Sequence, residues 1–409
     1  MLDYVIRNAR LPGRDDLVDI GFAGGRIAAV ERGIVCDAPE HDAEGCLCCG
    51  GLVETHIHLD KSRIIDRCGP EPDGRGHRAM ERVSEVKHTF TVEDVYERAK
   101  ITLERCIANG ATRMRTHVEV DPKVGLRGFE GVQALVKDYA WAIDIELCVM
   151  PQEGLTNNPG TDELMVDAMR RGARVVGAAP NYDTDHAAQI RRVFEIAREF
   201  DADIDMHLDS GPSPEHLDAA LVCELTEQYG WGGRVAFGHG TKLSTMPPAE
   251  QITWARRLGE AGVAVTVLPA TDLFLMGRDQ TYNVRRGLVD ANLFVENGCN
   301  CSLSTNNILN PFTPFGDCSL LRMANLHANV LQVGSREGIA ECFAMVTDRS
   351  ARVMNLANYG IAVGNPADVV VIDAESASRA VAEIAQPLSA FKNGRQSVTR
   401  TRPKLHRPG

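Results

Sequence analysis

Short apolar runs recur through the middle of the chain, most of them ending in polar or glycine-rich turns. They cover Leu52 to His58, Thr112 to Val120, Ile143 to Met150, Arg174 to Ala179, Ile204 to Leu208, Arg234 to Phe237, Val263 to Leu268 and Cys299 to Thr305. Between most of them apolar positions recur with helical spacing, most clearly at Val92 to Asn109, Leu164 to Arg171, Ala188 to Phe200, Leu217 to Tyr229 and Ala249 to Ala261. Strands that are apolar on both faces and alternate with helices predict a parallel sheet covered on both sides. Eight such units over about 250 residues predict an α/β chain folded as a (β/α)8 TIM barrel.

The two ends follow a different rhythm. Residues 2 to about 35 alternate apolar and polar positions around glycine turns, as in Val18-Asp19-Ile20-Gly21-Phe22-Ala23-Gly24-Gly25-Arg26-Ile27. Strand-like alternation returns from Gly360 to Ile372. The expectation is one small β domain made of residues 1–49 and 359–409, interrupted by a barrel of residues 50–358.

Composition narrows the setting. A net charge of −12 without a basic stripe argues against nucleic acid or an acidic membrane surface as a partner. The basic segment Arg400 to Arg407 reads as a solvated end. Charge near the N-terminus speaks against a secretory leader, and no run approaches the roughly 18 apolar residues of a membrane span. The expected location is the cytoplasm. Twelve scattered cysteines then read as small buried residues rather than disulfides. Cys46, Cys48 and Cys49 cluster, but a structural zinc would need a fourth ligand that their spacing does not supply.

The chemistry gathers where the runs end. His56 and His58 sit at i and i+2 of one strand, so both rings project to the same side. Strand two ends in His117, Glu119 and Asp121, strand three in Gln152 and Glu153, and strand five in His207 and Asp209. Strand six ends in His239, and strand eight in Thr305, Asn306 and Asn307. Barrel enzymes carry their active sites at this end of the strands. Four histidines there on strands one, five and six point to one divalent metal, zinc or iron by ligand type.

The motifs Val53-Glu54-Thr55-His56-Ile57-His58-Leu59-Asp60-Lys61-Ser62, Arg115-Thr116-His117-Val118-Glu119-Val120-Asp121 and Pro151-Gln152-Glu153-Gly154 resemble the amidohydrolase superfamily. So do Asp205-Met206-His207-Leu208-Asp209, Gly238-His239-Gly240-Thr241, Gly277 to Tyr282 and Pro311 to Gly316, over nearly the full length. The likeness is strongest to the cytosine deaminase-like branch, which includes amidohydrolases of triazine breakdown. It implies hydrolysis of a C–N bond in a small nitrogen heterocycle or cyclic amide. His56, His58 and His207 would be the metal ligands, and His239 would stand over the metal-bound water. Gln152 would hydrogen-bond the ring edge, with Asn307, Ser210 and His117 as further substrate contacts. The partner is thus a small-molecule substrate, and the resemblance leaves room for a homo-oligomer.

Three family carboxylates are missing. The metal-touching aspartate of strand eight corresponds to Asn306, its neighbour to Asn307, and the proton-shuttling glutamate to Ser210. An amide is no general base. Three readings stay open. Another group near the site (Asp209, His239, His117 or Glu153) takes the proton and the enzyme hydrolyses an unusual substrate; or Asn306 and Asn307 recognise an anionic or carbonyl-rich substrate whose own group serves as base, or whose reaction is not hydrolysis; or the site is catalytically dead and the protein binds a ligand or structures a complex. A carbamylated lysine ligand lies on strand four in other members. Strand four here ends in Ala178-Ala179-Pro180-Asn181, so Lys61 does not fill that role. Gly277-Arg278 and Arg285-Arg286 could meet an anion or be salt-bridged, and Asp66 to His77 could be a lid or an ordinary loop.

Overall fold

The computed structural model describes residues 1–71 and 78–407. Eight parallel strands form the barrel: β1 (Leu52–Ile57), β2 (Ala111–Glu119), β3 (Asp144–Met150), β4 (Val175–Val176), β5 (Asp203–Leu208), β6 (Val235–His239), β7 (Val263–Val267) and β8 (Cys301–Leu303). Each pairs with the next in sequence. The predicted TIM barrel is the fold observed. β4 and β8 are shorter than the apolar runs suggest, but backbone bonds continue beyond them, as from His207 N to Ala178 O (2.7 Å) and from Ser304 N to Val267 O (3.1 Å).

The seam between β8 and β1 is closed at the end that carries the histidines. Ile57 bridges Asn306 in parallel. Asn306 N donates to His56 O (2.9 Å), and His58 N donates to Asn306 O (3.0 Å). Lower down, side chains replace the ladder: the backbone N–H groups of Thr55 and His56 both donate to Ser304 Oγ at 3.0 Å.

The helices form where sequence signals agree. In Val92–Ala108 the Thr91 side chain accepts from Asp94 N, acidic residues fill the first turn, and Val95, Ala99, Leu103 and Cys106 face the barrel. The helix Pro248–Ala261 begins with proline and ends at Gly262, whose φ of 72° suits glycine. No helix among the described residues is long and apolar enough to cross a membrane.

A second, mixed sheet joins the two chain ends. Val369–Ile372 runs antiparallel to Leu47–Gly50, which pairs with Tyr4–Arg10, and Pro387–Lys392 flanks the other side. Its own core includes Ile6, Val18, Ile20, Val371 and Cys48, with Phe22 and Phe391 edge to face at 5.7 Å. Cys46, Cys48 and Cys49 are buried free thiols of this sheet. Burial pushes the Cys48 and Cys49 thiols far above their ordinary range. Within the segment suggested as a lid, residues 72–77 lie outside the described residues.

Candidate active site

The strand ends bring three imidazoles to one point. His207 Nε2 lies 3.1 Å from His56 Nε2 and 2.9 Å from His58 Nε2. One ring nitrogen with at most one proton cannot satisfy both neighbours. Ligands about 2.0–2.1 Å from a tetrahedral zinc stand about 3.3 Å apart, so this spacing suits a shared cation. Burial above all, with the neighbouring rings, holds His56 down to about 3 and His58 and His207 well below the usual imidazole range. Neutral imidazole is the form that ligates. The donor set therefore fits a divalent metal.

The backbone is shaped around these rings. A Cβ on Gly238 would lie 2.8 Å from His56 Cε1, so only glycine leaves room on β6 for that ring. His117 packs against His56 with centroids 3.8 Å apart. One nitrogen each of His56, His117 and His207 falls within 4.8 Å of the others, which makes a cluster of four rings with His58. His117 Nε2 faces Asp205, 3.3 Å from its carbonyl and 3.5 Å from its carboxylate. Burial raises the Asp205 carboxyl, but His117, His56 and Arg115 outweigh it and keep it ionised far below its usual range.

A cavity of about 440 Å³ opens over the cluster, and His58, His207, His239, Gln152, Ser210 and Asn307 are on its wall. Asp209 is not. With φ of 50° it turns away, and its carboxylate accepts from the N–H groups of Asp218 (2.9 Å) and Ala219 (3.0 Å) at the start of the helix Ala219–Tyr229. Burial lifts its pKa to about 6. His117 and Glu153 are likewise absent from the wall. Glu153 joins Glu119 and Asp121 around the Lys87 ammonium, which occupies the space where three carboxylates would otherwise hold an ion.

Asn306 is held by a relay of amides. Backbone N–H groups of Phe312 and Thr313 donate to Asn310 Oδ1 at 3.0 and 3.2 Å. Asn310 Nδ2 therefore donates to Asn307 Oδ1 (2.7 Å), and Asn307 Nδ2 donates to Asn306 Oδ1 (2.9 Å). Since a backbone N–H can only donate, the polarity of all three amides is fixed. Asn306 keeps a buried Nδ2 without a partner. Its oxygen accepts from Asn307, and the unpartnered end of the amide is a donor.

Two residues that the strand-end pattern did not single out stand on the wall. Asp272 Oδ1 lies 2.6 Å from His239 Nδ1. It sits in the helix Pro269–Leu275 directly after β7. Lys61 donates to Gln152 Oε1 at 2.8 Å and stands 5.1 Å over the Phe312 ring. Arg278 reaches the wall too, ion-paired with Glu71 at 2.9 Å and packed on Phe274.

Known proteins agree with this architecture. Residues 136–398 match the model of the amidohydrolase family. The chain is 27% identical over 406 residues, 96% of both chains, to N-isopropylammelide isopropyl amidohydrolase of Pseudomonas sp. strain ADP. It superposes on 5-methylcytosine deaminase from Klebsiella pneumoniae liganded with 5-fluorocytosine with a TM-score of 0.93, 27% identity and 99% coverage of both chains. For N-isopropylammelide isopropylaminohydrolase from Burkholderia multivorans the TM-score is 0.84, at 25% identity and 97% and 98% coverage. With its barrel, its histidine cluster and these relatives, the chain belongs to the amidohydrolase family, in the cytosine deaminase-like branch.

Proposed function

We propose that the protein is a metal-dependent hydrolase of a C–N bond in a small nitrogen heterocycle or cyclic amide, with His239 and Asp272 handling the proton that the missing carboxylates would take. The observation that carries this reading is the 2.6 Å contact between Asp272 Oδ1 and His239 Nδ1 on the cavity wall. Of the four groups that could replace the lost base, only His239 reaches that wall.

His56, His58 and His207 would hold the ion, zinc or iron. Such an ion, when bound, supplies a Lewis acid and lowers the pKa of water. The remaining work falls to the chain. Asp272 accepts from Nδ1 of His239, which fixes the tautomer, leaves Nε2 free for the cavity and stabilises the imidazolium once a proton is taken. Gln152, Asn307 and Ser210 contact the ring, while Asn306, buried and absent from the wall, holds the Asn307 amide in place from behind. Asp209 holds the loop that bears Ser210, and His117 keeps the His56 ring in place.

Metal analysis of the purified protein with a turnover screen tests the reading. Stoichiometric zinc, iron or manganese is expected, with ammonia or amine release from at least one of cytosine, isocytosine, ammelide, creatinine or a hydantoin. A protein with no stoichiometric metal sinks the proposal, and metal without turnover of any of these favours the ligand-binding reading.

Asn306→Asp probes the fourth corner. Its near oxygen can still accept from Asn307, so the relay survives, and its other oxygen replaces an amide donor. Two unit charges about 4 Å apart attract by roughly 4 kcal/mol at an effective dielectric of 20, partly offset by desolvation. Metal retention against a chelator should therefore strengthen about 10- to 100-fold. Unchanged retention would mean that residue 306 does not face the ion.

A further inference from the structure

One lysine sets the polarity of the Gln152 side of the cavity. Lys61 is 1% exposed, and as an ammonium it can only donate. The Gln152 atom it touches is therefore oxygen, and the amide's NH2 is left for the cavity. The Lys61 backbone carbonyl also accepts from Asn310 Nδ2 at 3.3 Å, next to the relay in which Asn307, itself on the wall, donates to Asn306. The Lys61 side chain thus fixes the Gln152 amide as a donor and adds its own N–H groups beside Asn307, whose amide is oriented by Phe312 N and Thr313 N through Asn310. Glu119 Oε2, 3.7 Å from Lys61 Nζ, anchors the charge from behind and is not on the wall. Of the carboxylates that do reach the wall, Asp272 is engaged by His239, and Asp279 lies at the exposed rim 3.9 Å from Arg285. A donor-rich wall wants acceptors.

Resting on the proposed hydrolase site, we propose that Lys61 sets its substrate class: a ring whose edge away from the scissile C–N bond carries oxo groups, bound as an oxo-anion in preference to a neutral amino-substituted ring. A neutral ring that turns an N–H toward Gln152 would set donor against donor. An oxo-anion instead meets the Gln152 and Asn307 amides and the Lys61 charge together, and charge-assisted hydrogen bonds are the strong ones. Rejection of the wrong edge follows from buried donors left unpaired.

Calorimetric titration of the metal-reconstituted full chain at neutral pH tests this with two probes, barbiturate (an anionic trioxo ring) and cytosine (a neutral amino-oxo ring). Wild type is expected to bind barbiturate at least about tenfold more tightly. Lys61→Met should weaken barbiturate about 10- to 100-fold and cytosine much less, and Lys61→Arg should restore part of the preference. Equal affinity of wild type for the two probes overturns the proposal. So does a Lys61→Met protein of native melting temperature that keeps the preference. Should that variant fail to fold, the wild-type ratio still decides. Because the titration reads affinity, with any ammonia release followed separately, absence of hydrolysis would count against the proposed reaction and not against this selectivity.

Discussion

Replacing Asp272 by asparagine is expected to lower kcat about 10²- to 10⁴-fold, the usual range for proton-transfer catalysis, with metal content and melting temperature close to wild type. The side chain lies between two partners. Its carboxylate accepts from His239 Nδ1 at 2.6 Å and from Leu268 N at 3.3 Å. Asparagine keeps the shape, but its NH2 can face Nδ1 and favour the tautomer with the proton on Nε2, where a base needs a lone pair. Asp272 acts through His239 and is a positioning residue. KM should therefore move little while kcat falls, and Asp272→Glu should recover part of the loss. A fall in metal content parallel to the fall in rate would reveal a structural role instead.

The second large effect concerns Lys87. Its ammonium is buried among Glu119, Asp121 and Glu153, each within ion-pairing contact. Burial alone would lower its pKa, but Glu119 and Asp121 together raise it far above the usual lysine range. Lys87→Met leaves these carboxylates facing one another with little water. Removing one partner of such a buried set costs about 3–5 kcal/mol. Denaturant unfolding should show this as a lower midpoint with an unchanged slope. A change below about 1 kcal/mol would mean that the carboxylates escape to solvent or take up protons at little cost. Since Glu119 also stands behind Lys61, the variant is a poor host for studies of specificity.

How far the sequence reached is best seen in these residues. His56 and His58 were legible because a period of two fixes both rings on one side of a strand. His207 and His239 followed from reading strand ends, and the structure places all four within one cluster. The His239–Asp272 pair is a contact across 33 positions and the Lys61–Gln152 pair one across 91. Neither spacing has a period, so no local pattern announces them. Asp209 shows the converse. It directly follows a strand that carries a ligand candidate, yet a left-handed backbone turn sends it to a helix start. The amide relay was hidden for the same reason: the orientation of Asn306 is decided by two backbone N–H groups in a loop beyond it.

The barrel seam has a consequence for how the protein is made. The first and last barrel strands meet at the histidine pair, and the bond from His56 N to Ser304 Oγ joins residues 248 positions apart. A ribosome delivers β1 early and β8 late, so the two histidines wait through most of synthesis for the strand that locks their backbone. Contacts this distant in sequence form slowly, since a long loop must close before they are made. The geometry of the histidine cluster is therefore among the last features to mature. A nascent chain lacking β8 would hold His56 and His58 on an open edge, and uptake of the ion would report completion of the barrel.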